Sequence, residues 1–303
     1  TLRDRHNFFE SVKRVYPSAT RKGRGQVISL AADGRTTRLG TFPISIDYRS
    51  FAKQAKQPAS QQAAQAIRDA FGNRFLLFGA DRLDYTKGVP QRLEALRVAL
   101  ERYPELRGQT CLIQVLVPSR EDVPQYRAMK EEIERTVGEI NGRFSMPGWA
   151  PVHFTYRNLP HEELIAYYLA SDMALVTPLR DGMNLVAKEY AACNVRETGI
   201  LCLSEFAGAA MELHRHATMV NPFDVDGVAE AIQNGLLMDI GQRRRRMRAI
   251  RAIVRRYDIF WWVDAFLDAA FSTHLEDFPK KEPDYWADLE ATQGPPWDVT
   301  PGD

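Results

Sequence analysis

The sequence predicts an α/β protein built on a doubly wound parallel sheet, with a smaller α/β segment ahead of it. Three observations carry that prediction. From Arg74 onward, short apolar runs alternate with stretches of helical period: RFLLFGA, then PQRLEALRVALERY, then TCLIQVLVP, then EDVPQYRAMKEEIERTVGEING. The short runs are apolar throughout rather than at every second position, which suits strands buried on both faces. The alternation persists through VHFTYRN, HEELIAYYLAS, MALVTP, NLVAKEYAACN, GILCLS, GAAMELH, TMVNP and DVDGVAEAIQNGLLM, the order of repeated βαβ units.

The elements before Arg74 read differently. LRDRHNFFESVKRVY has the pattern of a helix, and GQVISLAADGRTTRLGTFPISID reads as short strands around the hairpin dipeptide Asp33-Gly34. The Gln- and Ala-rich AKQAKQPASQQAAQAIRDAFG has the low apolar content of a connector, with Pro58 and Ser60 placed to open a helix. A boundary near residue 72 follows. The expected division is an N-terminal segment over 1–72, the α/β domain over 73–256, a bridging aromatic-rich helix over 257–275, and a tail over 276–303. That tail is too acidic and proline-rich to build a core.

Composition narrows the function classes. The 303 residues carry a formal net charge of +1, with 45% hydrophobic and 26% charged residues, which points to a globular protein and away from a polyanion partner. The run Arg243 to Arg256 invites a nucleic-acid reading. Met247, Ile250 and Val254 recur within it at helical spacing, however, so the arginines fall on the solvated faces of an amphipathic helix. Three scattered cysteines, Cys111, Cys193 and Cys202, sit in apolar runs and read as buried, reduced thiols. No apolar stretch approaches the roughly 18–20 residues of a membrane span. A cytoplasmic protein with no membrane and no nucleic-acid partner is expected. The missing initiator Met reads as an excerpt of a longer chain.

In a doubly wound sheet, ligands bind beyond the carboxyl ends of the strands. The first such loop, DRLDYTKG, offers Arg82 and Lys87, with Gly88 closing the turn, and the second, SRED, offers Arg120. The fourth, LRDGMN, offers Asp181 and Gly182 at the opening of the helix that holds Glu189. The fifth, SEFAGAA, offers Gly208. Cations beside two glycine-containing helix starts suit a phosphate, since guanidinium, ammonium and free helix N–H groups all favour an anion there. Taken singly, Arg82 could pair with Asp81 or Asp84, and Lys87 could sit in water. Glu189 lies on a mostly apolar face between Leu185 and Cys193. It could pair internally with Lys188 or an arginine, or accept hydrogen bonds from vicinal hydroxyls such as a ribose, and periodicity leaves both open. His214 and His216 lack a third ligand, so neither a metal nor a cofactor is expected.

Beyond this chemistry, DRLDYTKGVPQRLEAL, VPSREDVPQY, EINGRF, TPLRDGMNLVAKEY and LSEFAGAAMEL, in that order, closely resemble the trehalose-6-phosphate synthases of glycosyltransferase family 20. These are retaining glucosyltransferases with two Rossmann-like domains in the GT-B arrangement. FPISIDYRSF is similar to their segment before the second domain, and the resemblance reaches about residue 275. It implies transfer of glucose from a nucleotide-glucose donor, usually UDP-glucose, to the sugar-phosphate acceptor glucose 6-phosphate, without a metal. Arg82, Lys87 and Asp181 would be the catalytic residues, with Arg82 and Lys87 on the donor diphosphate and Asp181 on the glucose hydroxyls. Gly182, Met183 and Asn184 would contribute backbone donors, Leu185 and Val186 would line the site, Glu189 would hold the ribose and Leu159 the base. Arg120 would reach the acceptor phosphate.

The same resemblance implies that most of the N-terminal, acceptor-side domain lies outside this chain, residues 1–72 being what remains of it. The chain alone is then expected to bind nucleotide sugar weakly and to transfer little. Alternatives are the sister glucosylglycerol-phosphate synthase, which takes glycerol 3-phosphate, and a non-catalytic nucleotide-sugar-binding fragment. Preference among UDP, ADP and GDP stays open, and a homo-oligomer is compatible with the sequence.

Overall fold

In the computed structural model, residues 1–23, 26–120 and 122–272 are described, and they divide into two compact units. One comprises 1–44 with the segment from 260 onward; the other comprises 45–259. The acidic tail expected over 276–303 lies outside the described residues.

The smaller unit opens with α1 (Leu2–Val15), whose Thr1 side chain accepts from the Asp4 backbone while Asp4 reaches back, a capping box that satisfies two orphan donors. Strands β1 (Thr20–Lys22), β2 (Val27–Ala32) and β3 (Arg35–Gly40) form an antiparallel sheet in that order. Ala32 pairs with Arg35, leaving the predicted Asp33-Gly34 as a two-residue turn with φ of 51° and 71°. Positive φ at both positions is the requirement of a type I′ hairpin.

The larger unit begins with α2 (Tyr48–Ala55) and α3 (Pro58–Phe71), then alternates β4 (Phe75–Arg82), α4 (Val89–Arg102), β5 (Thr110–Val117), α5 (Pro124–Phe144), β6 (Val152–Tyr156), α6 (His161–Ala170), β7 (Met173–Val176), α7 (Leu185–Cys193), β8 (Ile200–Ser204), α8 (Ala210–Leu213), β9 (Thr218–Val220), α9 (Val225–Leu237) and α10 (Ile240–Arg256). Helix α11 (Ile259–Phe271) lies from Phe260 on in the smaller unit, where Trp262 donates to the Phe42 carbonyl at 2.9 Å.

All six strands of the larger sheet are parallel, in the order β6-β5-β4-β7-β8-β9. The chain winds outward from β4 to β6, returns to the middle at β7 and winds the other way, so the winding reverses between β4 and β7. That is the doubly wound fold expected from the sequence, and its switch point is where a crevice opens. Successive strand residues feed opposite cores. Leu77, Leu112 and Leu175 pack under α4, α5 and α9, whereas Leu76, Ile113, Ala174 and Leu201 pack under α6, α7 and α10. Each fully buried leucine contributes about 1.5–3 kcal/mol relative to exposure, which explains why these strands tolerate no polar alternation.

Residues 45–72, grouped at the sequence level with the N-terminal segment, lie in the larger unit. Tyr48 and Ala55 of α2 join the core beneath α7, and Arg68 of α3 holds Asp172 at 2.5 Å while that carboxylate also accepts from the Leu76 N–H at 2.8 Å. The segment is polar because only one narrow face is buried. Asp47 caps α2, and α3 starts at Pro58 without a side-chain cap, Ser60 being buried inside it.

The three thiols are free and buried, and burial pushes Cys111 and Cys202 up to about 12, which leaves them unreactive. In α10, Met247, Ile250 and Val254 are buried as expected. Several of its arginines have structural partners: Arg243 donates to the carbonyls of Gly235, Leu236 and Met238 at the end of α9, and Arg251 to those of Ala191 and Ala192. No described helix is long and apolar enough to cross a membrane.

Candidate functional site

Three loops meet at the carboxyl edge of β4, β7 and β8, joined through their backbones. The loop after β4 contains Gly88 at φ 67°, ψ 28°, a left-handed conformation that favours glycine. A Cβ there would lie 2.4 Å from the Thr177 carbonyl oxygen, so the absent side chain lets this loop nest on the end of β7. The Thr86 carbonyl then accepts from the N–H groups of Leu179 and Arg180 at 2.8 and 3.3 Å. On the other side, Asp181 N–H donates to the Phe206 carbonyl, Gly208 N–H to the Asp181 carbonyl and Ala209 N–H to the Met183 carbonyl, at 3.3, 3.0 and 2.8 Å. A Cβ on Gly208 would come within 1.8 Å of the Gly182 oxygen, so only glycine permits this approach.

The joined loops border a cleft of about 490 Å³ at the switch point. Arg82, Lys87, Leu159, Asp181, Met183, Asn184, Leu185, Val186 and Glu189 all line it. They come from the ends of β4 and β7, the loop after β6 and the first turns of α7, separate in sequence and brought together by the sheet. Lys87 Nζ lies 2.5 Å from Asp181 Oδ2, with both side chains mostly buried. The same carboxylate accepts from Asn184 Nδ2 at 3.2 Å and from the Met183 N–H at 3.3 Å. Asp181 is therefore held at three points. Arg82 is exposed and is paired with neither of the acids considered for it: Asp81 bonds Arg92, and Asp84 accepts from the Thr86 backbone and hydroxyl at 2.9 and 2.7 Å. Burial opposes ionisation of Asp84, but those two bonds and the charges of Lys87 and Arg82 outweigh it and hold the carboxyl below its usual range.

Glu189 pairs with neither Lys188 nor an arginine. Lys188 turns into the core and meets Glu212 of α8 at 2.9 Å, locking α7 to α8, while Glu189 Oε2 accepts from the Tyr168 hydroxyl at 2.8 Å. Burial pushes the Glu189 carboxyl above its usual range, partly offset by the Tyr168 hydrogen bond and the charge of His161.

Two expectations need correction. Helix α7 does not open at Asp181-Gly182 but at Leu185, with Asn184 as its N-cap at φ 68°. The reason is that the backbone of 181–183 is bonded to the loop after β8 and cannot join the helix. The second glycine-containing start is likewise not a free donor site, because Gly208 and Ala209 spend their N–H groups on that contact. Gly182 and Arg120 do not line the cleft. Arg120, exposed in the next loop at φ 49°, donates to the Tyr126 hydroxyl at 3.1 Å and lies over that ring.

Sequence reasoning missed Asp81, Asn158 and Tyr168 in the cleft and Arg92 beneath it. The carboxyl-edge rule could have found Asn158. Arg92 is 1% exposed and ties three neighbouring strands together: its Nη1 bonds Asp81 Oδ2 at 2.5 Å and Gln114 Oε1 at 3.0 Å, and its Nε bonds Thr177 Oγ1, just past β7, at 3.0 Å. Gly79 makes room for it, since a Cβ there would lie 2.5 Å from Nη1. Among the described residues, no group of three His, Cys, Asp or Glu could hold a metal ion.

An edge carrying two cations, a held carboxylate and a second carboxylate deeper in can grip an anion at one end and a polyol at the other. Comparison with known proteins bears on which. A model of glycosyltransferase family 20 matches residues 1–271. A trehalose-6-phosphate synthase of Mycobacterium sp. strain JLS is 51% identical over 240 residues, covering 79% of this chain and 50% of that protein. One of Mycobacterium tuberculosis H37Rv is 44% identical over 273 residues, covering 88% and 54%. Among solved structures, the UDP-forming α,α-trehalose-phosphate synthase of Burkholderia xenovorans in complex with glucose-6-phosphate superposes with a TM-score of 0.85 at 33% identity, over 90% of this chain and 60% of that one. The E. coli protein bound with UDP-2-fluoro glucose gives 0.82 at 36%, over 88% and 58%. The chain spans about half the length of the curated relatives it matches.

Proposed function

Because the chain belongs to glycosyltransferase family 20, we propose that its larger unit is the nucleotide-sugar half of a trehalose-6-phosphate synthase, which transfers glucose with retention from UDP-glucose to glucose 6-phosphate. The observation that carries this reading is the convergence of Arg82, the Lys87–Asp181 pair and Glu189 on one cleft at the switch point. The ligands named for the E. coli and Burkholderia relatives support the choice of donor and acceptor.

The donor diphosphate lies against Arg82 and Lys87. As the glycosidic bond to phosphate breaks, negative charge grows on the leaving oxygen, and the two cations beside it stabilise that charge. Lys87 exchanges Asp181 for phosphate, which frees the Asp181 carboxylate to accept from glucose hydroxyls. The first N–H groups of α7, near Leu185 and Val186, add the positive end of a helix dipole. Glu189 accepts from the ribose hydroxyls, the backbone at Leu159 meets the base, and Arg120 reaches the acceptor phosphate. With no nucleophile assigned on the opposite face, the leaving phosphate itself takes the proton of the attacking hydroxyl.

The test has two parts. Titration of the chain with UDP should show binding that Arg82→Ala and Lys87→Ala each weaken. In an assay completed with an N-terminal half from a relative, each substitution should lower turnover on the order of 10²–10³. Unchanged binding and turnover in both variants would sink the assignment. Glycerol 3-phosphate outcompeting glucose 6-phosphate as acceptor would move it to the sister enzyme.

A further inference from the structure

Tyr168 has no measurable exposure, yet its hydroxyl touches a cleft residue. Its ring is set edge-on to Phe78 at 5.5 Å and near-perpendicular to Tyr190 at 6.2 Å, so neither of its torsions can turn. The hydroxyl is thus a fixed point in the core of α6. Glu189, by contrast, has three torsions and no other side-chain hydrogen bond among the described residues, and left alone it would sample several rotamers at the cleft wall.

We propose that Tyr168 is a positioning residue that makes the cleft selective for ribonucleotides, by holding Glu189 Oε2 at 2.8 Å and so presenting the carboxylate to a 2′,3′-diol. This rests on the reading that Glu189 meets the ribose. The argument is one of satisfaction. A buried carboxylate aimed at two hydroxyls loses little when both donate, and is left short of a donor when one is missing. That discrimination needs the carboxylate both fixed and ionised. Tyr168 supplies the first through its locked ring and favours the second through its hydrogen bond.

The surrounding charges agree. Burial, reinforced by the neighbouring Glu189 charge, drives the Tyr168 phenol well above its usual range, so it stays a neutral donor. On the same helix, His161 favours the Glu189 carboxylate, and on α7 the Cys193 thiol is pushed up by burial and stays uncharged. Lys188 faces Glu212, Asp81 is held by Arg92, and Lys87 is held by Asp181 at the other side of the cleft. Tyr168 is therefore the neighbour whose loss changes Glu189 most directly.

The experiment measures binding of UDP and 2′-deoxy-UDP to the full 303-residue chain by calorimetry from acid to alkaline pH. Wild type, Tyr168→Phe and Glu189→Gln are compared, with a thermal melt of each. Tyr168→Phe keeps the ring. It should weaken UDP about tenfold near neutral pH while changing 2′-deoxy-UDP much less. It should also move the acidic limb of UDP binding to higher pH, because the carboxyl then holds its proton more tightly. Difluorotyrosine at position 168, a stronger donor, should move that limb to lower pH and serves if the Phe variant does not fold. Glu189→Gln should bring the two affinities together. If Glu189→Gln leaves their ratio at the wild-type value, the ribose reading falls and the inference with it. If Glu189→Gln collapses the ratio but the Tyr168 variants retain both ratio and limb, or weaken both nucleotides equally, the inference alone is overturned.

Discussion

Lys87 of the loop after β4 and Asp181 of the loop after β7 form an ion pair at 2.5 Å. A diphosphate entering there meets a lysine already engaged. Hydrogen bonds to charged groups are worth about 1.5–3 kcal/mol, so Asp181→Asn should release the ammonium and tighten UDP binding about tenfold. UDP-glucose should gain less, because its sugar loses an acceptor. Paired titrations with UDP and UDP-glucose read both effects, and equal tightening for the two would show that Asp181 makes no sugar contact.

Glu189 couples function to a stability cost. Its carboxyl lies above the usual range in the folded protein because burial penalises the charge. A group of this sign contributes stability that is full below the ordinary carboxyl range and is lost as pH rises through the raised value. At neutral pH the fold therefore carries a disfavoured charge. Glu189→Gln should melt higher than wild type at neutral pH, with the difference closing under acid. Melting curves across that range check it, and a variant less stable at every pH would contradict the account.

Gly182 and Gly208, 26 positions apart, behave oppositely. Gly208 has no room for a Cβ, which would fall 1.8 Å from the Gly182 oxygen, whereas a Cβ on Gly182 meets nothing within 4 Å. Gly208→Ala should cost at least about 1–3 kcal/mol by overpacking. Gly182→Ala should stay within about 0.5 kcal/mol of wild type. Chemical denaturation of both variants separates them.

Arg92 is a buried cation whose partners Asp81, Gln114 and Thr177 belong to three neighbouring strands and their ends. Arg92→Met strands Asp81 and should cost about 3–5 kcal/mol. Adding Asp81→Leu removes the stranded acid and should recover part of that loss. A double-mutant cycle measures the coupling, and strictly additive losses would mean that the pair carries no net interaction.

These contacts show where legibility ends. Apolar runs such as LLF and CLIQVLV report that strands are buried on two faces, and the parallel sheet follows, so the edge where Arg82, Lys87, Asp181 and Glu189 gather could be found without coordinates. The Lys87–Asp181 bond spans 94 positions and depends on a loop seated by Gly88, which composition does not encode. Tyr168 looks like any aromatic on a packed helix, since its function depends on which residue of α7 faces it. The start of α7 is not legible, because the backbone of 181–183 is tied to a loop some 25 residues later and not to the helix. Residues 45–72 read as a linker because α2 buries only Tyr48 and Ala55, and α3 only Ser60 and Ala64.

The five main-chain bonds that join the loops after β4, β7 and β8 are made by N–H and carbonyl groups alone. Such a frame does not read the identity of the side chains it carries. Met183, which lines the cleft, can be exchanged without losing its main-chain tie, whereas Gly88 and Gly208 cannot take a side chain. What the cleft accepts can therefore be retuned at Met183 while the two glycines preserve its shape.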